Sequence, residues 1–368
     1  MPKTKETLLE INLNSLAHNF QYLKSQISNN TKFLAVVKAF AYGSDAAVIA
    51  GELDKLGADY FAVAYSYEGA ALRDSGITKP ILVLHPQPIH FNTIIERCLE
   101  PNLYSFKVLK AFIKTAEEGN QIDYPIHIKF NTGLNRLGFN EQDVPEIIQI
   151  LSTTKAVKVR SILSHLGASE DLNEKEFTGK QINLFKNIAV TFESQLGTKV
   201  LKHMCNTSGI LNYPEAHFDM VRSGIGLYGF GNSELQNKNF KPIATLKSVI
   251  SQIHQLYEGD SLGYNRGLIV EKPTRTATIP VGHADGISRL YGKGKGYVLI
   301  NGQRAYISGN VCMDMIMVDV TDIDCEEGDE VIVFGMASTA DQLAQRAGTI
   351  SYELLTAISQ RVKRKIIS

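Results

Sequence analysis

Lys38, in AVVKAFAYG, closes an apolar run and is the first residue of this chain whose setting suggests chemistry. Burying a charged amine is costly, so such a side chain shifts toward its free base, and a desolvated amine is the usual route to a Schiff base. A lysine snorkelling from a strand end fits the same residues. Just beyond it, Tyr42 and Gly43 offer a phenol and a close-approaching backbone, both suited to a phosphate. Three later segments add partners. KFNTGLNRLGF sets Lys129 and Arg136 around a Gly-bearing turn, and HMCNTSGI offers Asn206, Thr207 and Ser208 after an apolar run. FDMVRSGIGLYG places Arg222 before Ser223, Gly224 and Gly226, whose backbone N–H groups can approach an anion. Taken singly, each segment is also explained as a helix cap or a close-packed strand turn. Their succession points to a phosphate-bearing ligand without naming it.

Positioning such groups requires a scaffold, and the pattern supplies one. Apolar runs at 33–39, 59–66, 80–86, 102–106, 127–133, 159–166, 202–208 and 220–229 alternate with helical stretches such as AAVIAGELDKLGA and VPEIIQILSTTKA. Near-continuous apolar strands separated by helices imply a parallel sheet covered on both faces, and eight of them point to a closed (β/α)₈ barrel. Polar residues at the strand ends then fall where barrel active sites lie. After about residue 240, ATLKSVISQI, TRTATIPVG, GYVLINGQRAYIS, CMDMIMVDVT and DEVIVFG read as strands joined by Gly-containing turns. The expectation is an α/β chain: a barrel over 10–238 and a mostly β region over 239–368, which an N-terminal strand over 1–9 joins. No GxGxxG or GxxxxGK[ST] opens a helix, so Rossmann and P-loop readings lose their main support.

Composition narrows the ligand. Over 368 residues, 38 Lys plus Arg balance 38 Asp plus Glu. No net field draws nucleic acid or an anionic membrane, and a small zwitterionic substrate fits better than a polyanion. The four cysteines form no CxxC pair and suggest reduced thiols, with no disulfide frame and no metal site. No stretch reads as a cleavable signal or a bilayer span, so a cytoplasmic location is expected.

The motifs VVKAFAYG, KFNTGLNRLGF, NTSG, VRSGIGLYG, GYN, IPVGHADGISR, GNVCMDM and SYELLTAISQRVKR stand in the order and approximate spacing found in alanine racemases. The chain resembles that family over nearly its whole length. The resemblance implies a pyridoxal 5'-phosphate (PLP) enzyme that interconverts L- and D-alanine, supplying D-alanine for peptidoglycan. It also implies a homodimer with sites shared between subunits. Lys38 would carry the cofactor covalently and serve as one base, with Tyr264 as the other, reaching the site of the partner subunit. Two bases on opposite faces are what racemisation needs. His165 would hydrogen-bond Tyr264 and meet Arg222, which would face the pyridine nitrogen. Because guanidinium is donor-only, that nitrogen would remain unprotonated, favouring racemisation over transamination. Tyr42, Asn206, Thr207, Tyr352 and the backbone of Gly224 and Ile225 would hold the cofactor and its phosphate. Arg136, with the Met313 backbone, would take the substrate carboxylate, and Lys129 matches a lysine often carbamylated in the family.

The sequence also departs from the family pattern. Phe40 stands where Asn is usual, Ser44-Asp45 replaces His-Gly, Asn131 replaces Asp, and Ser223 replaces Pro. His283 replaces a tyrosine at the substrate entrance, and Asn310 stands where an entrance arginine is common. A broader amino-acid racemase, a fold-related decarboxylase with a catalytic cysteine beside CMD, and a non-catalytic PLP-binding barrel are the competing readings. The Lys38/Tyr264 pair opposes the decarboxylase, and the length of the β-rich region opposes the carrier.

Overall fold

The computed structural model describes residues 5–231 and 233–368. Its first strand, β1 (Leu8–Asn12), precedes eight parallel strands: β2 (Lys32–Val36), β3 (Tyr60–Val63), β4 (Ile81–Val83), β5 (Glu100–Leu103), β6 (Tyr124–Lys129), β7 (Val157–Leu163), β8 (Leu201–His203) and β9 (Met220–Ser223). Among the described residues these eight form one sheet in the order β8-β7-β6-β5-β4-β3-β2-β9. The two ends meet. Arg222 N–H donates to the Cys205 carbonyl at 3.3 Å and Asp219 N–H to that of Lys202 at 3.1 Å, closing the barrel. Strands β3, β4 and β5 are buried at every position, as parallel strands covered on both faces must be. The barrel read from the apolar runs is therefore present, with each run ending earlier than its apolar stretch suggests.

Helices return the chain between strands, and short polar side chains start them. Asn12 accepts from Ser15 N–H at 2.9 Å and Asp45 from Val48 N–H at 3.1 Å. Asp45, one of the departures from the family pattern, thus has a local role as a helix cap.

The region after β9 folds as a nine-stranded sheet among the described residues. Its order is Gln252–Leu256, Thr274–Ile279, Ile316–Asp319, Gln303–Ser308, Tyr297–Ile300, Glu330–Phe334, Ala244–Val249, β1 and Lys363–Ile367. The turn at Asn301-Gly302 has positive φ at both residues (48° and 78°), which suits the twist of the hairpin it joins. Of the N-terminal strand expected over 1–9, residues 1–4 lie outside the described residues. The observed β1 pairs antiparallel with Ala244–Val249 and parallel with Lys363–Ile367. By its pattern YELLTAISQRV reads as a short helical tail, and that last strand has no counterpart among the strands expected from the sequence. The helix is present at Ser351–Ala357, but Lys363–Ile367 continues beyond it as an edge strand. Among the described residues, no helix is long and apolar enough to cross a membrane.

The element that matters most for the site is short. Strand β2 stops at Val36, and Ala39, Phe40, Ala41 and Tyr42 all lie in the left-handed region, with φ between 51° and 55°. Each such non-glycine residue costs roughly 1–2 kcal/mol, so the turn forms only because its surroundings hold it. Glu68 accepts the Ala39 N–H at 2.7 Å, and Ala41 N–H donates to the Val37 carbonyl at 3.0 Å. Arg364, on the final strand, donates from Nη2 to the Gly43 carbonyl at 2.7 Å and lies 5.7 Å from the Phe40 ring centre. Gly43 itself has φ +78°, and a β-carbon there would sit 2.0 Å from the Leu355 carbonyl oxygen of the Ser351–Ala357 helix. Gly43→Ala is therefore expected to cost about 2–4 kcal/mol through strain and steric conflict together. The check is a fall in the urea midpoint at unchanged m-value; a midpoint equal to the parent's would show that the contact gives way freely.

Candidate active site

A helical turn of either hand sets residues i and i+4 on one face. The left-handed turn therefore aims Lys38 and Tyr42 together into a cavity of about 400 Å³ at the C-terminal end of the barrel. That size lies within the range of ligand pockets, ~300–1,000 Å³. Lys38, Tyr42, Lys129, Arg136, His165, Asn206, Thr207, Arg222, Gly224, Ile225 and Tyr352 all line it. Tyr352 arrives from the β-rich region on the helix that packs against the turn.

Four of these residues are cationic side chains, and no carboxylate lines the cavity among the described residues. Burial first, and then the Arg136 guanidinium, lower the Lys38 amine below the usual lysine range, while the Glu68 carboxylate opposes them. Burial and the neighbouring Arg136, Arg222 and Lys38 bring Lys129 down to about 8. Burial and the same cations hold the His165 imidazole well below its usual value, so it is neutral. The lysine pair thus leans toward free amine, as a nucleophilic lysine requires.

One end of the cavity suits a phosphate. Tyr42 is buried against Tyr228 at 4.3 Å between ring centres and lies 5.9 Å from Tyr352. A β-carbon on Gly224 would sit 2.1 Å from the Tyr42 phenol oxygen, so only glycine leaves room for that hydroxyl. Thr207 and Ser223 share a hydrogen bond at 3.0 Å beside it. Asn206 accepts from Gly209 N–H and from the Ser169 hydroxyl, both at 2.8 Å, so its side-chain oxygen is committed to capping. Its capping role and its place in the cavity lining coexist.

Arg222 is fully buried, and its Nη donors are spoken for. Nη1 donates to His203 Nδ1 at 2.7 Å and to the His203 carbonyl at 3.1 Å. Nη2 donates to the carbonyls of Ser164 (2.7 Å) and Met204 (3.0 Å) and reaches His165 Nδ1 at 3.3 Å. The Nε–H makes no hydrogen bond among the described residues and is the donor left for a ligand. Because a guanidinium only donates, His165 must accept at Nδ1 and carry its hydrogen on Nε2. Arg136 stands at the rim on a loop that Asn131 ties, accepting from Gly133 N–H at 3.2 Å and Asn135 N–H at 3.0 Å. The amide oxygen of Asn131 thus fills the acceptor role at a position where the family has a carboxylate.

Tyr264 and Met313 are not part of this cavity within one chain. Both are exposed on the β-rich region, at 75% and 59%. Asn310 holds the Tyr264 carbonyl through Nδ2 at 3.2 Å, and Asn265 and Arg266 follow it with φ of 55° and 47°. His283 is exposed beside Met313, since the next residue, Ala284, donates its N–H to the Met313 carbonyl at 2.9 Å. Burial raises the Cys312 thiol above its usual range, the opposite of what a catalytic cysteine needs.

Several residues at or behind the site escaped the sequence reading. Glu68 accepts from Ala64 and Tyr65 N–H groups as well as from Ala39. His127, Ser161 and His203 lie inside the barrel, and Glu100 joins them. A polar residue within an apolar strand was the available signal, since buried polar groups need partners.

With this geometry described, similarity to known proteins can be placed on it. Residues 11–231 match the family "Alanine racemase, N-terminal domain" and residues 243–366 match "Alanine racemase, C-terminal domain". Alanine racemase from Thermodesulfovibrio yellowstonii is 38% identical over 366 residues, covering 97% of each chain. Alanine racemase of Clostridium difficile 630 superposes with a TM-score of 0.92 at 33% identity, covering 100% of this chain and 97% of that one. The Bartonella henselae enzyme, solved with covalently bound pyridoxal phosphate, superposes with a TM-score of 0.89 at 28% identity, over 99% of this chain and 100% of that one. Barrel and β-rich region alike, this chain belongs to the alanine racemase family.

Proposed function

We propose that the chain holds pyridoxal phosphate in the barrel cavity on Lys38 and racemises alanine between two bases, Lys38 and Tyr264, on opposite faces. The observation that carries this reading is a cavity with four cationic side chains, no carboxylate, and an amine brought toward its free form. Such a lining calls for anions, and a phosphate with a substrate carboxylate supplies them. When bound, the cofactor delocalises the charge left at the α-carbon and so makes its hydrogen acidic.

The chain's own residues do the rest. Tyr42, Tyr352, Thr207 and the Gly224 and Ile225 backbone take the phosphate, with Asn206 shaping the same wall. Arg222 offers its Nε–H to the ring nitrogen, and having no proton to give up leaves that nitrogen unprotonated. Arg136 meets the carboxylate at the rim, together with the Met313 backbone. Lys38 Nζ takes the α-proton from one face, and Tyr264 returns one from the other. His165, its hydrogen on Nε2, donates to the Tyr264 oxygen and holds the hydroxyl in place on that face. Lys129, brought toward its free amine, is the lysine open to carbamylation, which would add a negative charge to orient Arg136. We divide the chain into the barrel (10–238) and the β-rich domain (239–368).

Tyr264 and Met313 stand exposed on their own chain, which supports a dimer in which each subunit completes the other's site. Lys38→Ala and Tyr264→Phe proteins should each be inactive alone. After subunit exchange, half the dimers pair the two variants, each with one intact site, so activity should return to roughly a quarter of the parent's. Zero activity with exchange confirmed by mass would refute sharing. Borohydride reduction of the yellow holoenzyme should fix the cofactor on Lys38 alone, as read by peptide mapping.

The depressed Lys129 amine also has a stability consequence. A lysine brought from 10.5 to about 8 binds fewer protons folded than unfolded between those values. Stability therefore rises with pH across that window, and the deficit is fully present below about pH 8. In cofactor-free, bicarbonate-depleted protein, Lys129→Met should be more stable than the parent by about 1–3 kcal/mol at pH 7. The difference should fade by pH 10.5, as measured by urea midpoints across the range. A difference that does not vary with pH would show that Lys129 is not desolvated.

A further inference from the structure

Behind Arg222, a line of buried polar side chains crosses the barrel interior from strand to neighbouring strand. His203, at the end of β8, meets Ser161 of β7, with Nε2 3.0 Å from Oγ. Ser161 Oγ lies 2.5 Å from His127 Nδ1 on β6, and His127 Nε2 lies 2.7 Å from Glu100 Oε2 at the start of β5. His127, Ser161 and His203 are wholly buried, and Glu100 is 8% exposed. Glu100 borders a cleft at the opposite end of the barrel from the cavity, next to Lys158 and Arg160.

The direction of every bond in this line follows from its two ends. Arg222 can only donate, so His203 Nδ1 accepts. Burial first, and then the Arg222 guanidinium, hold His203 well below its usual range and therefore neutral, which places its one hydrogen on Nε2. That hydrogen goes to Ser161. Ser161 makes no other hydrogen bond among the described residues, so its hydroxyl hydrogen goes to His127 Nδ1. His127 then carries its hydrogen on Nε2 and donates it to the Glu100 carboxylate, which only accepts. The cation at one end and the anion at the other leave a single consistent order.

We propose that Glu100 is the remote counter-charge of Arg222, acting through His127, Ser161 and His203 to fix the guanidinium that faces the cofactor. Arg222 is buried with only neutral groups in contact, and the chain of polarised bonds links it to a negative charge without placing a carboxylate in the cavity. A carboxylate in contact with the guanidinium would compete with the ring nitrogen for the Nε–H. Glu100 is thus a positioning residue, several side chains away from the reacting atoms. The inference rests on the reading that Arg222 faces the ring nitrogen.

The test uses the holoenzyme with ¹⁵N-labelled histidine. Long-range ¹H–¹⁵N correlations should find a hydrogen on Nε2 and none on Nδ1 in both His127 and His203. A hydrogen on Nδ1 of either ring overturns the ordered line. Glu100→Gln keeps an acceptor and removes the charge. It should retain both tautomers, lower kcat roughly tenfold with KM for alanine held within about twofold, and shift the visible band of the bound cofactor. Parent-like kcat overturns the proposal. An unmoved band with lowered kcat overturns its bearing on the ring nitrogen. Ser161→Ala breaks the line midway without touching either charge, and serves also if the Gln variant folds poorly. It should match the Gln variant, and the double variant should be no worse than either single one. Additive losses would mean that the two residues act separately. Absence of cofactor on Lys38, read beforehand by borohydride mapping, would mark failure of the underlying reading instead.

Discussion

A fully buried guanidinium that can only donate hydrogen bonds organises this active site. Arg222 sits where β9 closes the barrel, and its own backbone N–H helps to seal the seam with β8. Its Nη groups are consumed by three carbonyls and two histidine nitrogens, leaving Nε–H as the donor without a partner among the described residues. Donor-only chemistry on one residue therefore decides the tautomer of His165 on one side and of His203 on the other. Burying such a charge without an adjacent carboxylate is expensive. The barrel offsets that cost with carbonyl oxygens at strand ends and with polar residues threaded through its interior. The same arrangement keeps the cavity positive, which is what anionic ligands require.

The second constraint is a backbone one. Four consecutive non-glycine residues in the left-handed region are strained, and strain of this kind persists only where the surroundings over-determine it. Here they do so from three directions: Glu68 takes the first N–H, Arg364 takes the carbonyls at the end, and the Ser351–Ala357 helix packs on Gly43. Two of these three supports come from the last residues of the chain. The turn that carries Lys38 is thus finished by the β-rich region, and the helix that packs on it also delivers Tyr352. Phe40, where the family has an asparagine that tolerates this conformation more readily, is compensated by Arg364 over its ring.

Catalysis by two bases requires groups on opposite faces of one carbon. A single barrel mouth readily presents one of them, since strand ends converge there. The other needs a surface that approaches from outside. Tyr264 sits on a loop of the β-rich region, exposed and braced by Asn310, which suits a side chain that serves a neighbouring subunit. Asn310 departs from the entrance arginine of the family and here acts as a loop brace. Relative to the family pattern, one substitution thereby removes a charge and ties the loop that carries Tyr264.

The sequence by itself determined the class of fold, because buried parallel strands must be apolar along their length and the eight runs were visible as such. It also determined which residue types were available for chemistry, since Lys38, Arg136 and Arg222 stand in segments whose motifs resemble a family with a conserved order. What it left undecided was mostly geometric. Strand β2 ends before Lys38 because the chain turns left-handed there, and no local propensity calls for that in AFAY. The last strand, Lys363–Ile367, was hidden because an edge strand needs no strong apolar pattern; its partner β1 lies at the other end of the chain. His127, Ser161, His203 and Glu100 are polar residues of four separate strands, and nothing in the sequence joins them. Only the closed barrel, by placing those strands side by side, makes them neighbours. Hydrogen bonds act over about 3 Å, so proximity in space, which sequence separation conceals, decides which polar groups form a network.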